Sequence, residues 1–239
     1  MAEPAAVTGR TVPLPGLGGP SLAAEEVAGA GTHRIGGRAI VVNTGARPAV
    51  VAEHPRKAIP PLGSAVLHDT AVEHTDRLLV LRTAETADAA ALTREPGWHL
   101  LAGLLPGFPP ETPLWRGPQH DLGTVELTPE ALLGGPGGGR PRPYRLKVNL
   151  WFAPAGTDCR IHHRHAFLEV HTQVFGTGRM QKFRADDHGT LHEDVLLAPG
   201  NTHEPFCEIG ADGEFTYPWH QYKADTDCVW LAVEYHEER

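Results

Sequence analysis

The sequence predicts an all-β chain, on three observations. Between residues 38 and 81 the apolar runs 39–42, 49–52, 65–67 and 78–81 are broken by Asn43-Thr44-Gly45 and Pro60-Pro61-Leu62-Gly63, the punctuation of short strands. From 145 to 152, Leu146, Val148 and Leu150 alternate with Lys147, Asn149 and Trp151, the period-two pattern of a strand with one buried face. In the C-terminal part, turn signals recur at Gly176-Thr177-Gly178, Asp186-Asp187-His188-Gly189, Pro199-Gly200 and Gly210-Ala211-Asp212-Gly213, at the intervals of antiparallel barrels and sandwiches.

Taken in order, residues 1–36 are rich in Ala, Gly and Pro and read as a flexible arm, with a short helix expected over 21–28, capped by Ser21 and followed by Glu25 and Glu26. Residues 37–133 form a β-rich region. Within it the Ala-rich 86–95, ended by Pro96-Gly97, is expected as a helix, and 98–118 as a packed connection. Thr128-Pro129-Glu130 opens a second brief helix, with Thr128 as its cap and Pro129 in the first turn. The Gly- and Pro-rich 134–143 marks a linker and a boundary. Beyond it, 144–239 reads as continuous β: strands at 145–152, 167–175, 180–183 and 229–235, the middle two joined as a hairpin by Gly176-Thr177-Gly178.

Composition narrows the function classes. The chain has 239 residues and is 41% hydrophobic, enough for a proper core. Its 21 Lys and Arg against 29 Asp and Glu give a formal charge of -8, which argues against nucleic acid or an anionic membrane as partner. Met1-Ala2-Glu3-Pro4 lacks the basic start and apolar core of an export signal, so a cytoplasmic location is expected. Cys159, Cys207 and Cys228 include no close pair and are expected as plain buried thiols of a reducing compartment. The Gly-, Ala- and Arg-rich usage fits a high-GC bacterium and secondary metabolism.

The chemistry gathers between 156 and 203. On an unbroken strand His163, His165 and Glu169 share a face by parity, and His203 follows the Pro199-Gly200 turn from a later strand. Imidazoles with one carboxylate suit borderline divalent metals such as iron, zinc, nickel or copper. His220, in Tyr217-Pro218-Trp219-His220, is the rival of His203 for the last ligand position. The same parity turns His171, Gln173 and Phe175 inward with Glu169, a wall too polar for a structural core and suited to a pocket. Arg160, Arg179 and Lys182 lie near these strands and could meet a carboxylate. His74-Thr75-Asp76 with His120, and the pair His188 and His192, are weaker metal constellations.

These residues resemble the cupin superfamily. Its first motif is matched by Gly156, His163, His165, Glu169 and Gly176, and its second by His192, Ala198, Gly200 and His203, with Cys207 where the family has Asn. Six residues rather than five separate Gly156 from His163, and His192, Ala198 and Cys207 replace framework residues of the second motif. The resemblance implies a cupin-type double-stranded β-helix, or jelly-roll, barrel for 144–239, with an N-terminal β-rich extension and one or two short helices. It implies a metal held by His163, His165, Glu169 and His203, with iron(II) first and zinc, manganese or nickel as alternatives. Implied functions are an oxygenase using dioxygen on a small metabolite that could bear a carboxylate; a redox-neutral isomerase, lyase or cyclase; or a non-catalytic ligand-binding cupin. His171, His220 and Tyr222 are the candidate proton-moving residues, and Gln173, Lys182, Arg179 and Trp219 the candidate substrate contacts. A homodimer is expected, without nucleic-acid or membrane partners.

Overall fold

The computed structural model describes residues 10–19, 21–29, 31–73, 75–84, 88–134, 139–210 and 213–238. Residues 1–9 of the expected arm, His74, the start of the 86–95 helix, residues 135–138 of the linker and residues 211–212 lie outside them.

The N-terminal part is one antiparallel sheet. Its strands are β1 (Arg10–Pro13), β2 (Leu22–Ala28), β3 (Thr32–Asn43), β4 (Ala49–Val51), β5 (Lys57–Ile59), β6 (Ser64–Glu73) and β7 (Arg77–Thr83), in the order β1-β2-β7-β3-β6-β4-β5. A second sheet is built from β8 (His99–Leu100), β9 (Trp115–Arg116), β10 (His120–Leu127), β11 (Arg142–Ala153), β12 (Leu168–Phe175) and a strand from the far end of the chain, Cys228–Glu237. A third sheet holds β13 (Gly178–Phe183), β14 (Leu191–Leu197) and the segment Trp219–Ala224, and β15 (Glu208–Ile209) pairs with β16 (Phe215–Thr216). Numbering on, Trp219–Ala224 is β17 and Cys228–Glu237 is β18.

The all-β fold expected from the sequence is the fold observed. The second and third sheets face each other across Ala153, Met180, Tyr222, Cys228 and Trp230, with the ring of Tyr222 stacked on Trp230 at 4.0 Å. Short bridges, Asp158↔Lys223, His162↔His220 and Thr172↔Thr202, tie the edges. Hydrogen bonding does not run unbroken around a closed barrel among the described residues.

Period-two alternation gives the second sheet two different faces. Leu146, Val148, Leu150, Phe152, Leu168, Val170, Val174, Val229, Leu231, Val233 and Tyr235 join one core with Leu22, Ile40, Val42, Leu79 and Leu81 of the first sheet. The opposite face carries Asn149, Trp151, Glu169, His171, Gln173, Trp230 and Glu234, which stand in register across β11, β18 and β12.

Several local expectations are corrected. The segment expected as a helix over 21–28 is strand β2, paired along its length with β7; hydrogen bonds to a central neighbour override an Ala- and Glu-rich propensity. Nor is the described part of the arm loose, since Leu14, Leu17 and Leu22 are buried in the main core. Over 86–95 the described helix is 3-10, Ala89–Arg94, capped by the Asp88 side chain on Ala90 N. The brief helix after Thr128 is present as Pro129–Leu132, but Thr128 makes no side-chain cap. The glycine-rich 134–143 joins two hydrogen-bonded neighbours, β10 and β11, so the second sheet draws strands from both sides of it.

Gly176-Thr177-Gly178 does not close a hairpin. It carries the chain from β12 in one sheet to β13 in the other. Gly176 has φ +65° and a Cβ there would stand 2.0 Å from Asp227 O, so only glycine fits this corner. No helix among the described residues is long and apolar enough to cross a membrane.

Candidate metal centre

The structure brings three histidines together: His162, His165 and His220 offer ring nitrogens that all lie within 4.8 Å of one another. His165 Nε2 is 3.0 Å from His162 Nε2 and 3.1 Å from His220 Nε2. Two of the three come from a pair of backbones locked side by side, because His162 N donates to His220 O at 2.9 Å and His220 N to His162 O at 2.8 Å.

Their tautomers follow from what their other nitrogens touch. His162 Nδ1 is 2.9 Å from Arg160 O and His220 Nδ1 is 2.8 Å from Pro218 O. A carbonyl only accepts, so Nδ1 carries the proton in both rings and each Nε2 presents a lone pair. His165 Nδ1 faces Glu169 Oε2 at 3.5 Å; with the proton on that side of the ring, a third lone pair turns toward the other two. Burial, foremost, opposes protonation: it lowers His162 and holds His165 at about 4 and His220 at about 2. Although His162 reaches the surface, its ring lies against those of His165 and His220 at 4.9 and 4.3 Å.

Three converging lone pairs without protons repel unless a cation sits among them, and this donor set passes the test for a metal. Neighbouring ligands at metal–nitrogen distances of about 2.1 Å stand about 3 Å apart when they subtend a right angle, and the two separations here match. The carbonyl and carboxylate partners on the far nitrogens are the outer contacts that fix metal-bound imidazoles.

Glu169 stands behind the cluster. Its carboxylate bridges His165 and His171, with Oε1 3.1 Å from His171 Nε2, and its backbone N–H donates to Tyr217 Oη at 2.9 Å, which in turn donates to Phe167 O at 3.0 Å. Burial raises the Glu169 pKa while it lowers that of His165. The two directions conflict for an ion pair and have one cause, a dry pocket that penalises either charge. A cation at the three nitrogens would favour the carboxylate form.

Only part of the expected ligand set is gathered in this cluster. His165 is in the cluster and Glu169 adjoins it, but His163 and His203 are not brought in. The ring of His163 packs on Trp219 at 4.1 Å. His203 Nε2 accepts from His171 N at 2.9 Å and its Nδ1 meets Glu204 O at 2.9 Å, so both nitrogens are committed to backbone. The parity rule failed because regular strand begins only at Leu168. Upstream, Arg160 has φ +77°, and the chain from 163 to 167 is irregular, which exchanges His163 for His162. A doubled His162-His163 was the one sequence signal that either could serve.

Other candidates separate in the same way. His171 stays beside the cluster, its Nδ1 buried with no partner among the described residues. Tyr222 lies outside the three-histidine cluster: its hydroxyl donates to Gln173 Oε1, and Gln173, fully buried, donates from Nε2 to Phe175 O at 2.6 Å. Arg179 is turned away, bound to Asp225 and Asp194 at 2.7 and 2.8 Å, and Arg160 is exposed. Lys182 stands opposite His220 on the inner face but pairs with Glu193 at 2.8 Å and lies 4.8 Å from the centre of the Phe206 ring. His120 Nε2 is buried in β10, apart from the cluster. All three cysteines are buried and free, as expected.

No family model matches the chain, and no curated protein matches it in sequence. The chain is similar at low identity to several solved structures. One is the cupin 2 conserved barrel domain protein from Leptotrichia buccalis, with 11% identity over 98% of this chain and 91% of that one and a TM-score of 0.30. Another is oxalate decarboxylase from Bacillus subtilis, with 11% identity over 97% and 73% and a TM-score of 0.34. A DMSP lyase structure shares 19% identity over 50% and 47%, with a TM-score of 0.29. Similarity at this level does not extend to chemistry.

Proposed function

We propose that the chain is a mononuclear metal-dependent enzyme, with His162, His165 and His220 as the protein ligands, acting on a small metabolite with dioxygen as co-substrate. The observation that supports this is the convergence of three Nε2 lone pairs whose opposite nitrogens are all engaged. His162, His165 and His220 would hold the metal, and iron(II), when bound, would supply electron transfer to dioxygen.

The chain's own residues do the positioning. Arg160 O and Pro218 O hold two imidazoles in one tautomer. Glu169 orients His165, and Tyr217 anchors Glu169 through the backbone. Phe167, Tyr217 and Phe206 pack around the cluster, at 5.4 and 4.8 Å from the His165 ring and 5.0 Å from the His220 ring respectively, and shield its inner side, while His162 stays open to the surface. Protein purified without oxygen should hold one equivalent of iron and consume oxygen only when substrate is added. Full turnover by the H165A/H220A double variant would refute the reading.

A second reading has an observation of its own. His171 Nε2 meets Glu169, which leaves its buried Nδ1 free to take or give a proton at a substrate. That arrangement suits a redox-neutral isomerase, lyase or cyclase with zinc, manganese or nickel polarising a carbonyl. Turnover that persists without oxygen selects it. A non-catalytic ligand-binding role is left only if neither assay shows turnover.

A further inference from the structure

The polar face of the second sheet is almost fully satisfied. The Asn149 amide, turned to suit its neighbours, accepts from Trp151 Nε1 at 2.7 Å and donates to Glu234 Oε1 at 3.0 Å. The other Glu234 oxygen is met by Gln119 at 3.0 Å and His236 at 2.8 Å. Against that background three buried atoms on this face have no partner among the described residues: Arg116 Nε, Trp230 Nε1 and His171 Nδ1.

They lie along one row. Arg116 is in register with Trp151, Trp151 with Trp230, and Trp230 with Gln173, two residues from His171 on the same side of β12. The Arg116 guanidinium carbon is 5.8 Å from the centre of the Trp151 ring. Trp151 stacks on Trp230 at 6.3 Å and 7°, and Trp230 is 6.2 Å from the His171 ring.

Arg116 differs from the cations expected to contact substrate. Arg179 and Lys182 have carboxylate partners within hydrogen-bond distance, whereas no ion pair engages Arg116 among the described residues. Partly burying a guanidinium without a counter-ion is costly, and its fork matches a carboxylate.

We propose that Arg116 and Trp230 Nε1 bind the carboxylate of a small acidic substrate whose remaining polar group faces His171 and the three-histidine cluster. This rests on the metal-site reading for the direction in which the substrate points, but not for the anion contact itself. The carboxylate accepts from both donors, and His171 Nδ1, with its Nε2 proton toward Glu169, accepts a hydrogen from the substrate's hydroxyl or amino group.

Calorimetric titration with acid and amide pairs, lactate against lactamide and benzoate against benzamide, tests this on the full chain as purified and again after chelation. Wild-type protein should prefer each acid by about tenfold or more, the usual strength of a hydrogen bond to a charged group, with metal and without. Arg116→Gln should abolish the preference and leave amide binding and metal content unchanged. If its unfolding midpoint drops, Arg116→Lys decides instead: a reduced preference sustains the proposal and an undiminished one overturns it. No preference in wild type, or full preference in R116Q, also overturns it. A preference that vanishes on chelation would put the carboxylate on the metal, overturning the Arg116 contact while leaving the metal reading intact. An Arg116-dependent preference in a chain that takes up no metal would do the reverse.

Discussion

The two faces of the β11–β18–β12 sheet use the same backbone and opposite chemistry. One side is Leu, Val and Tyr packed into a core shared with the N-terminal sheet; the other holds Glu169, His171, Asn149, Glu234 and Gln173, largely or fully buried, with Asn149 hydrogen-bonded to Glu234 and Glu169 paired with His171. The aliphatic face supplies stability by leaving water. The polar face is held in place by that core and fully satisfied except at the atoms a metal or substrate would meet, which is how strain-free scaffolds keep reactive groups unpaired.

Acid should separate the two faces most strongly. Burial holds His165 and His171 at about 4, His203 at about 3 and His220 at about 2, against an ordinary 6.5. The unfolded chain binds protons near pH 6.5 that the folded chain refuses until about pH 4, so these groups contribute fully above pH 6.5 and their contribution is lost as pH falls. Each is worth up to about 1.4 kcal/mol per pH unit in that window. Glu169, raised by burial, works in the opposite sense, one group against these four and His162, which burial also lowers. Urea unfolding of metal-free protein across this range should show the loss, and a flat profile would count against neutral buried imidazoles.

Next in size, H165A/H220A should cut metal affinity by more than the roughly 100-fold that loss of an outer contact costs, with little change in the unfolding midpoint of the metal-free chain. Leu231→Ala, on the aliphatic face of the same strand as Trp230, should cost about 2–5 kcal/mol of stability by denaturant titration and leave metal stoichiometry intact. Glu169→Gln should lower metal affinity about 10- to 100-fold without removing a ligand; an unchanged affinity would strip Glu169 of its orienting role. The smallest effect is expected for Arg179→Ala, which breaks partly exposed ion pairs and should cost about 1 kcal/mol or less with turnover unaltered.

Much of this was legible in the residues, and the misses have physical causes. Alternation in 145–152 marked the two faces of β11 correctly, and parity placed Glu169, His171 and Gln173 on one wall. Parity then failed at His163, because it holds only where the backbone is a regular strand and the chain reaches one at Leu168. The segment over 21–28 favours a helix by local propensity and is a strand because its partner β7, far along the chain, pairs with it. Arg116 carried no signal at all: it sits in a two-residue strand whose importance comes from its neighbours.

Taken alone, the sequence determined the β class, a turn at Gly176-Thr177-Gly178 and a stretch holding two of the three clustered histidines, since periodicity, glycine φ and side-chain chemistry are local properties. Tertiary structure alone decided which histidines meet. His162 reaches His220 through a backbone bridge across 58 residues of chain, and His203 is taken up by the amide of His171. Convergence of ligands depends on strand register and on which nitrogens the backbone has already engaged, and neither is written in spacing.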